Sequence, residues 1–181
     1  MKEMMIEGKL IRLVEVSEND SISILKLRNN PAISKYLSGT SEITSEQQRE
    51  WIKLNKVKSD GFYWTIKDGI NQFFGTISLY NVIDRKAEFG RYICTNSIYA
   101  IEAELLILEF GFKHMGLDEI YCRTVINNEK VWKQHYKFGF EDQSFEELPQ
   151  KKFTLKRQVL NKVMFDHFDY SNIQILLERF S

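Results

Sequence analysis

The sequence predicts an α/β (α+β) domain in which a seven-stranded mixed sheet is flanked by helices. Two observations carry this prediction. Short segments with alternating apolar residues recur along the chain between turn residues, which is typical of strands. Longer segments with apolar residues three and four positions apart lie between them, which is typical of helices. Because 181 residues are enough to bury one core, we expect a single domain over residues 1–181.

The first third of the chain is predicted to form one strand followed by two helices. Lys9–Val16 alternates as a strand does, and Ser17–Asn30 carries apolar side chains on one helical face. This helix is expected to end before Pro31, because proline disfavours helical geometry in the residue before it. The segment TSEQ, from Thr44 to Gln47, has the spacing of a capping box and predicts the start of the second helix. The two helices lie where a lid over a substrate could form.

The middle of the chain predicts three strands and one long helix. The strands are Phe62–Lys67, Gln72–Asn81 and Ala87–Cys94, and an Asp-Gly turn joins the first two as a hairpin. Helical spacing of apolar residues then continues through Ile98–Met115, up to a glycine that is well suited to end a helix.

The last third predicts a strand, a short helix, two strands and a terminal helix. Their bounds are Glu119–Ile126, Asn128–Phe138, Phe140–Glu147, Gln158–Phe168 and Ser171–Phe180. The complete order, β-α-α-β-β-β-α-β-α-β-β-α, is that of a mixed sheet covered by helices. The short helix is unusual, because two adjacent rings stand just before its Gly-Phe end.

Composition argues against several classes of partner. Lys plus Arg and Asp plus Glu number 25 each, so no net charge attracts nucleic acid or an anionic membrane. Cys94 and Cys122 form no CxxC motif, so we expect neither a disulfide scaffold nor a metal site. The N-terminal MKEMMIEGKL lacks an apolar export core, and no stretch reaches membrane-spanning length. We therefore expect a cytoplasmic protein without nucleic-acid or membrane partners, and the sequence leaves open whether it is a monomer or a homodimer.

Three segments resemble the GNAT N-acetyltransferase superfamily, and the resemblance covers nearly the whole chain. AEFGRYI (87–93) is similar to the central strand of ribosomal-protein-type acetyltransferases, and LEFGFKHMGLDEIYCRTVINNE (108–129) to the long helix, turn and next strand. NEKVWKQHYKFGF, from Asn128, has the family spacing from Asn to a Tyr-type position and then to Gly-Phe. The resemblance implies a GNAT fold with a mostly antiparallel sheet, acetyl-CoA as co-substrate, and acetyl transfer to a small-molecule primary amine.

A narrower resemblance concerns the acceptor. LRNNPAISKYL (27–37) is similar to the Arg-Asn-x-Pro segment of amino-sugar acetyltransferases of the pseudaminic-acid pathway, and the short interval from Gly90 to Glu102 also suits that group. It implies an amino-sugar nucleotide whose hydroxyls or phosphates contact Arg28 and Asn29. Acetylation of a protein N-terminus, as in the ribosomal-protein relatives, is the alternative enzyme function. Capping of a helix C-terminus is the structural alternative for these two residues.

The family resemblance also places the acetyl-CoA site between two splayed strands. The implied contacts are the backbone of Tyr92, Ile93 and Cys94, the helix start at Ile98, Tyr99, Ala100 and Ile101, and the residues Asn128 and Val131. Capping of the short helix is the structural alternative for Asn128. The pyrophosphate is implied to lie at the amides of residues 97–102. There the stretch TNSIYAI (95–101) lacks the glycines and the basic residue of the family. This departure keeps open a second class of function, a GNAT-fold binding module with weak or no catalysis.

Acetyl transfer to an amine needs a free amine and a proton for the leaving thiolate. Glu88 stands at a motif position on the central strand, which makes it the candidate base; the alternative is an ion pair with Arg91 or Lys86. Ser78, on the neighbouring strand, is the candidate for orienting substrate or water, with an ordinary strand hydroxyl as the alternative.

His135 occupies the position at which the family commonly carries a Tyr general acid. Its imidazolium is the candidate proton donor, because a reference pKa of about 6.5 suits proton transfer near neutrality. Tyr136 lies about 100° further around the helix, so the two rings cannot share a direction. The alternative is that His135 only closes the pocket while Tyr136 packs.

Overall fold

The computed structural model describes residues 4–37, 42–56, 60–149 and 153–181. In these ranges eight strands form one sheet in the order β1-β2-β3-β4-β5-β6-β8-β7. They are β1 (Met5–Glu7), β2 (Ile11–Glu15), β3 (Phe62–Asp68), β4 (Phe73–Ile83), β5 (Lys86–Cys94), β6 (Glu119–Val125), β7 (Glu141–Leu148) and β8 (Phe153–Asn161). The predicted mixed, mostly antiparallel sheet is confirmed. The described residues hold one strand more than the seven predicted, because β1 pairs with β2 at the edge.

Helices flank this sheet as predicted. They are α1 (Ser21–Arg28), α2 (Pro31–Ser34), α3 (Ser45–Lys56), α4 (Ser97–Glu109), α5 (Glu129–His135), α6 (Lys162–His167) and α7 (Ser171–Phe180). A single π-helical turn extends α4, and single 3-10 turns precede α1 and follow α5. The capping box predicted at the start of α3 is present, since Thr44 and Gln47 each accept the other's backbone N–H, at 3.2 and 2.9 Å.

The predicted strand Gln158–Phe168 is wrong in its second half. β8 ends at Asn161, whose side chain accepts the Met164 amide at 2.9 Å and caps α6. The local cap therefore stops the strand although apolar residues continue beyond it.

The sheet has two faces, because side chains alternate along each strand. The back face packs against α4 and forms the main core; it carries Trp64, Ile77, Leu79 and Phe89. The front face packs against α1 and α3 through Ile24 and Ile52. Alternation places Tyr63, Ser78, Tyr80 and Glu88 on this front face. The front face is the polar one.

Strands β5 and β6 run parallel and then separate. Their pairing extends from Lys86 opposite Glu119 to Phe89 opposite Cys122. Beyond that pair, β5 continues along β4, and β6 continues along β8. Arg91 sits in the separating part with a positive φ of 48°, and its carbonyl accepts the Thr76 hydroxyl at 2.8 Å. The result is a wedge between residues 90–94 and 123–125, which we call the strand opening.

Two buried carboxylates on the largely apolar α4 hold neighbouring elements. Glu102 is buried and accepts the backbone amides of Lys9, Leu10 and Ile11, the last two at 2.9 and 3.0 Å. It thereby fixes the start of β2. Glu104, two residues on, faces α5 instead and belongs to the site described below. Among the described helices, none combines the length and apolar character needed to cross a bilayer.

Candidate active site

The strand opening leaves one edge of β5 unpaired. The backbone of Ile93 and Cys94 pairs with β4 on one side, Tyr92 lies in a register shift of that pairing, and all three lie beyond the β5–β6 ladder on the other side. An extended amide chain could therefore add to this edge. Asn128, at the start of α5, makes no side-chain capping hydrogen bond, so its carboxamide is available to a ligand. Val131, half-buried, lies one turn further along α5.

The start of α4 is engaged by its own cap. Asn96 Oδ1 accepts the amides of Ile98 at 2.9 Å and Tyr99 at 3.1 Å, and its carbonyl accepts the Ala100 amide at 2.9 Å. The predicted pyrophosphate site includes these amides and Ile101. A phosphate can bind Ile98 and Tyr99 only after the Asn96 side chain leaves them, because each N–H donates to one strong acceptor at a time.

A buried hydrogen-bond network lies behind the strand opening. His135 Nδ1 and Glu104 Oε1 are 2.6 Å apart, with 2% and 0% of their side chains exposed. Gln134 Nε2 donates to Glu104 and to the Tyr92 hydroxyl, both at 2.7 Å, and that hydroxyl donates to the Ala100 carbonyl at 2.7 Å. We call Tyr92, Glu104, Gln134 and His135 the buried network. It ties β5, α4 and α5 together.

The environment of His135 favours its charged form. Burial opposes the charged imidazolium, but attraction and hydrogen bonding by Cys122 and Glu104 outweigh it and raise the pKa of His135 well above its usual range. The ring packs against Phe89, with centroids 5.3 Å apart. Since Phe89 belongs to the last β5–β6 pair, the His135 ring lies where the strands begin to separate.

Tyr136 points elsewhere. Its exposed hydroxyl donates to Asp142 at 2.8 Å and accepts Lys156 Nζ at 3.0 Å. The expectation that the two adjacent rings diverge is thus met by the geometry. Only His135 reaches the buried side of the opening.

Glu88 lies on the front side, with 3% of its surface exposed. Arg123 forms a bidentate ion pair with the Glu88 carboxylate, at 3.1 and 3.0 Å, and the Asn81 side chain donates to the same carboxylate at 3.1 Å. Burial together with the charge of the neighbouring Glu88 raises the pKa of Tyr80. An ion pair therefore exists, but with Arg123; the alternative partner Lys86 binds Glu119 instead.

Ser78 and Arg28 have unused hydrogen-bonding atoms. Ser78 Oγ and Arg28 Nε are buried and have no hydrogen-bond partner among the described residues. Ser78 is opposite Tyr63 on one side and Gly90 on the other, so it lies in the middle of the front face. Asn29 is the C-terminal cap residue of α1, and its side chain donates to the Ile43 carbonyl at 3.2 Å. Buried polar atoms without partners are uncommon and mark places where a ligand can bind.

Sequence reasoning missed Arg91 as a site residue. Its guanidinium lies 4.2 Å from the centre of the Tyr80 ring, 4.8 Å from that of Trp51 and 5.8 Å from that of Tyr63. We call these three rings the aromatic box. The sequence offered one signal, since Tyr63 and Tyr80 alternate with core residues on their strands and so face away from the core.

The charged partners of His135 and Glu88 were missed as well. Glu104 and Arg123 were not singled out, although two carboxylates inside the apolar run IYAIEAELLIL of α4 signal buried acids with dedicated partners. No group of His, Cys, Asp or Glu within the described ranges is arranged to hold a metal ion.

The fold and the strand opening agree with the family that the sequence resembles. A family model described as an acetyltransferase (GNAT) domain matches residues 11–141. The chain therefore belongs to the GNAT acetyltransferase family, which confirms the predicted enzyme class, an N-acetyltransferase. Enzymes of this family use acetyl-CoA as the acetyl donor. Curated protein sequences give no significant match.

Solved structures share this fold at low sequence identity. Apo FdhC, described as a nucleotide-linked sugar GNAT, is 23% identical, with a TM-score of 0.81 over 97% of this chain and 99% of its own. Spermidine N-acetyltransferase from Vibrio cholerae, in complex with CoA and spermine, is 18% identical, with a TM-score of 0.78 over 88% of this chain and 100% of its own. A probable acetyltransferase from Chromobacterium violaceum is 15% identical, with a TM-score of 0.79 over 92% and 95%.

Proposed function

We propose that this protein transfers the acetyl group of acetyl-CoA to the primary amine of an amino-sugar nucleotide. The observation that carries the proposal is the strand opening, with the buried His135–Glu104 pair behind it and a polar front face before it. A thioester held in the opening has a proton donor on one side and room for an amine on the other.

Acetyl-CoA is proposed to bind along β5. Its pantetheine amides pair with the free backbone edge of Tyr92–Cys94, while Asn128 and Val131 hold the arm from α5. The pyrophosphate lies at the start of α4, at Ile98–Ile101, once the Asn96 side chain has moved aside.

His135 is proposed to protonate the leaving thiolate. Glu104 holds the imidazole through Nδ1 and stabilises its charge, so the proposed donor is the other ring nitrogen, which must leave Cys122 to reach the thiolate. A buried imidazolium is well matched to a thiolate, because the two charges attract strongly where water is excluded.

Glu88 is proposed to accept the proton of the attacking amine, directly or through a water molecule. Arg123 occupies both carboxylate oxygens, so this role requires the guanidinium to shift when the acceptor binds. Ser78 is proposed to orient the amine or the water with its unused hydroxyl. Arg28 and Asn29 contact hydroxyls or phosphates of the acceptor from the end of α1.

The acceptor class is supported by two observations. Arg28 has a buried, unused N–H, which suits an oxygen-rich ligand. The fold is also shared with a nucleotide-linked sugar GNAT, although it is shared with a spermidine acetyltransferase too. The binding-module alternative is favoured by one observation, the engaged amides at the start of α4.

Calorimetric titration with acetyl-CoA tests the donor site, and release of free CoA thiol tests turnover. The acceptors to compare are a UDP-linked amino sugar, spermidine and a peptide with a free N-terminus. We expect acetyl-CoA to bind and the UDP-linked amino sugar to be the preferred acceptor. Binding without turnover of any acceptor would support the binding module, and preference for the peptide would support N-terminal acetylation.

A further inference from the structure

Arg91 is a half-buried guanidinium without a carboxylate partner among the described residues. Its central carbon lies 4.2 to 5.8 Å from the three ring centres of the aromatic box. Cation–π contacts with rings leave the N–H groups of a guanidinium free for hydrogen bonds. Arg91 is therefore available to a ligand.

Two acidic residues on this side of the sheet are paired with other cations, Glu88 with Arg123 and Asp20 with Lys67, the latter at 2.8 Å. Arg28 ends α1, the helix that packs on the front face, and its buried Nε has no hydrogen-bond partner among the described residues. Arg91 contacts the rings of the same face. Arg28 and Arg91 therefore both lie on the front side of the sheet.

Backbone strain supports a functional position for Arg91. Its φ of 48° lies in the left-handed region, which a long side chain seldom adopts. Thr76 fixes this conformation by donating to the Arg91 carbonyl at 2.8 Å. The same turn of the backbone creates the strand opening, so the guanidinium has a fixed place beside the reacting groups.

We propose that Arg91, together with Arg28, binds a phosphate of the acceptor and thereby selects anionic amines over cationic ones. This inference rests on the proposed function and deepens it, because it assigns a specificity-determining residue and a charge to the acceptor. Arg binds phosphate oxygens through two parallel N–H groups, which gives orientation as well as attraction. A polyamine would bring further positive charges beside Arg91 and Arg28, and the two guanidinium groups would repel them.

Binding of nucleotide fragments tests the phosphate site without any need for turnover. UDP, inorganic pyrophosphate and uridine are titrated by calorimetry into protein saturated with CoA, so that the donor site is blocked. We expect UDP to bind, and Arg91→Gln to weaken it about tenfold or more, the effect of losing one charged hydrogen bond. Arg179→Gln is the matched control, since it removes the same charge from the exposed end of α7 and leaves UDP binding unchanged.

The other ligands identify the source of the binding. If pyrophosphate binds as tightly as UDP and with the same dependence on Arg91, the affinity comes from the phosphates alone. If pyrophosphate binds more weakly than UDP, the nucleoside contributes part of the affinity. Uridine that binds as tightly as UDP, with no effect of Arg91→Gln, overturns the proposal. Arg28→Gln provides a second test that leaves β5 intact, and thermal unfolding checks that each variant is folded.

Kinetics separate this proposal from the proposed function. With a UDP-linked amino sugar, Arg91→Gln should raise KM about tenfold or more and leave kcat nearly unchanged. Efficient acetylation of spermidine by the wild-type protein overturns the charge selection and leaves the acetyltransferase function standing. Arg91-dependent binding of UDP without turnover of any acceptor supports the phosphate site and contradicts the proposed function.

Discussion

Replacing His135 with Phe should destabilise the fold far more than the change in shape suggests. The ring packs between Phe89 and Phe140, with centroids at 5.3 and 5.4 Å, so a benzyl group fills nearly the same space. A volume-conserving exchange by itself costs under about 1.5 kcal/mol. Glu104 is fully buried, however, and within the described ranges it retains only Gln134 as a side-chain hydrogen-bond donor. Removing one member of a buried ion pair costs about 3–5 kcal/mol.

The free energy of unfolding at neutral pH, measured by urea denaturation, checks this value. His114→Phe is the matched control, because His114 is exposed and has no ion pair among the described residues. The double variant His135→Phe with Glu104→Leu removes both charges and should recover much of the loss, since an apolar pair can replace a buried ion pair with little cost. A loss below about 1 kcal/mol in the single variant, with no recovery in the double one, would refute a charged pair at this position.

Three further predictions concern pH, catalysis and the donor site. Cys122 and Glu104 outweigh burial and raise the pKa of His135. The stability that its charge contributes is therefore complete below about pH 6.5, the pKa in the unfolded chain, and is lost as the pH rises through the pKa in the folded state. The Tm of the wild type should accordingly fall at alkaline pH, whereas the Tm of His135→Phe should not. Glu88→Gln should lower turnover ~10²-fold and leave acetyl-CoA affinity nearly unchanged. If the variant turns over as fast as the wild type at every pH, Glu88 has only a structural role, in its ion pair with Arg123. Asn96→Ala removes the cap of α4 and should cost about 1 kcal/mol of stability. It also frees the amides of Ile98 and Tyr99, so calorimetry should show tighter binding of acetyl-CoA. Weaker binding would mean that the phosphates do not bind at the start of α4.

Most of the fold could be predicted from local patterns. Strands such as β3 and β4 alternate clearly, and the capping box at Thr44 marks the start of α3 where the structure has it. Local patterns failed where two signals competed. After Asn161 the apolar residues favoured a continued strand, whereas the Asn161 cap favoured a helix, and the cap determined the outcome.

The candidate site was only partly accessible to sequence reasoning. Motif spacing singled out Glu88 and His135, because those positions are defined along the chain. Their partners depend on tertiary contacts: Arg123 is 35 residues from Glu88, and Glu104 is 31 residues from His135. No periodicity relates such distant residues. The same reason applies to Arg91, whose ring partners come from α3, β3 and β4.

The bonds from Glu102 to the start of β2 have a consequence for the order of folding during synthesis. The amides of Lys9, Leu10 and Ile11 obtain their acceptor from a residue more than 90 positions later. Until α4 has left the ribosome, the first strands of the sheet therefore lack both this anchor and the helix that covers their apolar face. Contacts of such sequence separation form late, because the intervening loop must close first. The N-terminal half of the nascent chain therefore cannot complete its folding until α4, in the second half, has been synthesised. Until then its apolar strands remain exposed to chaperones.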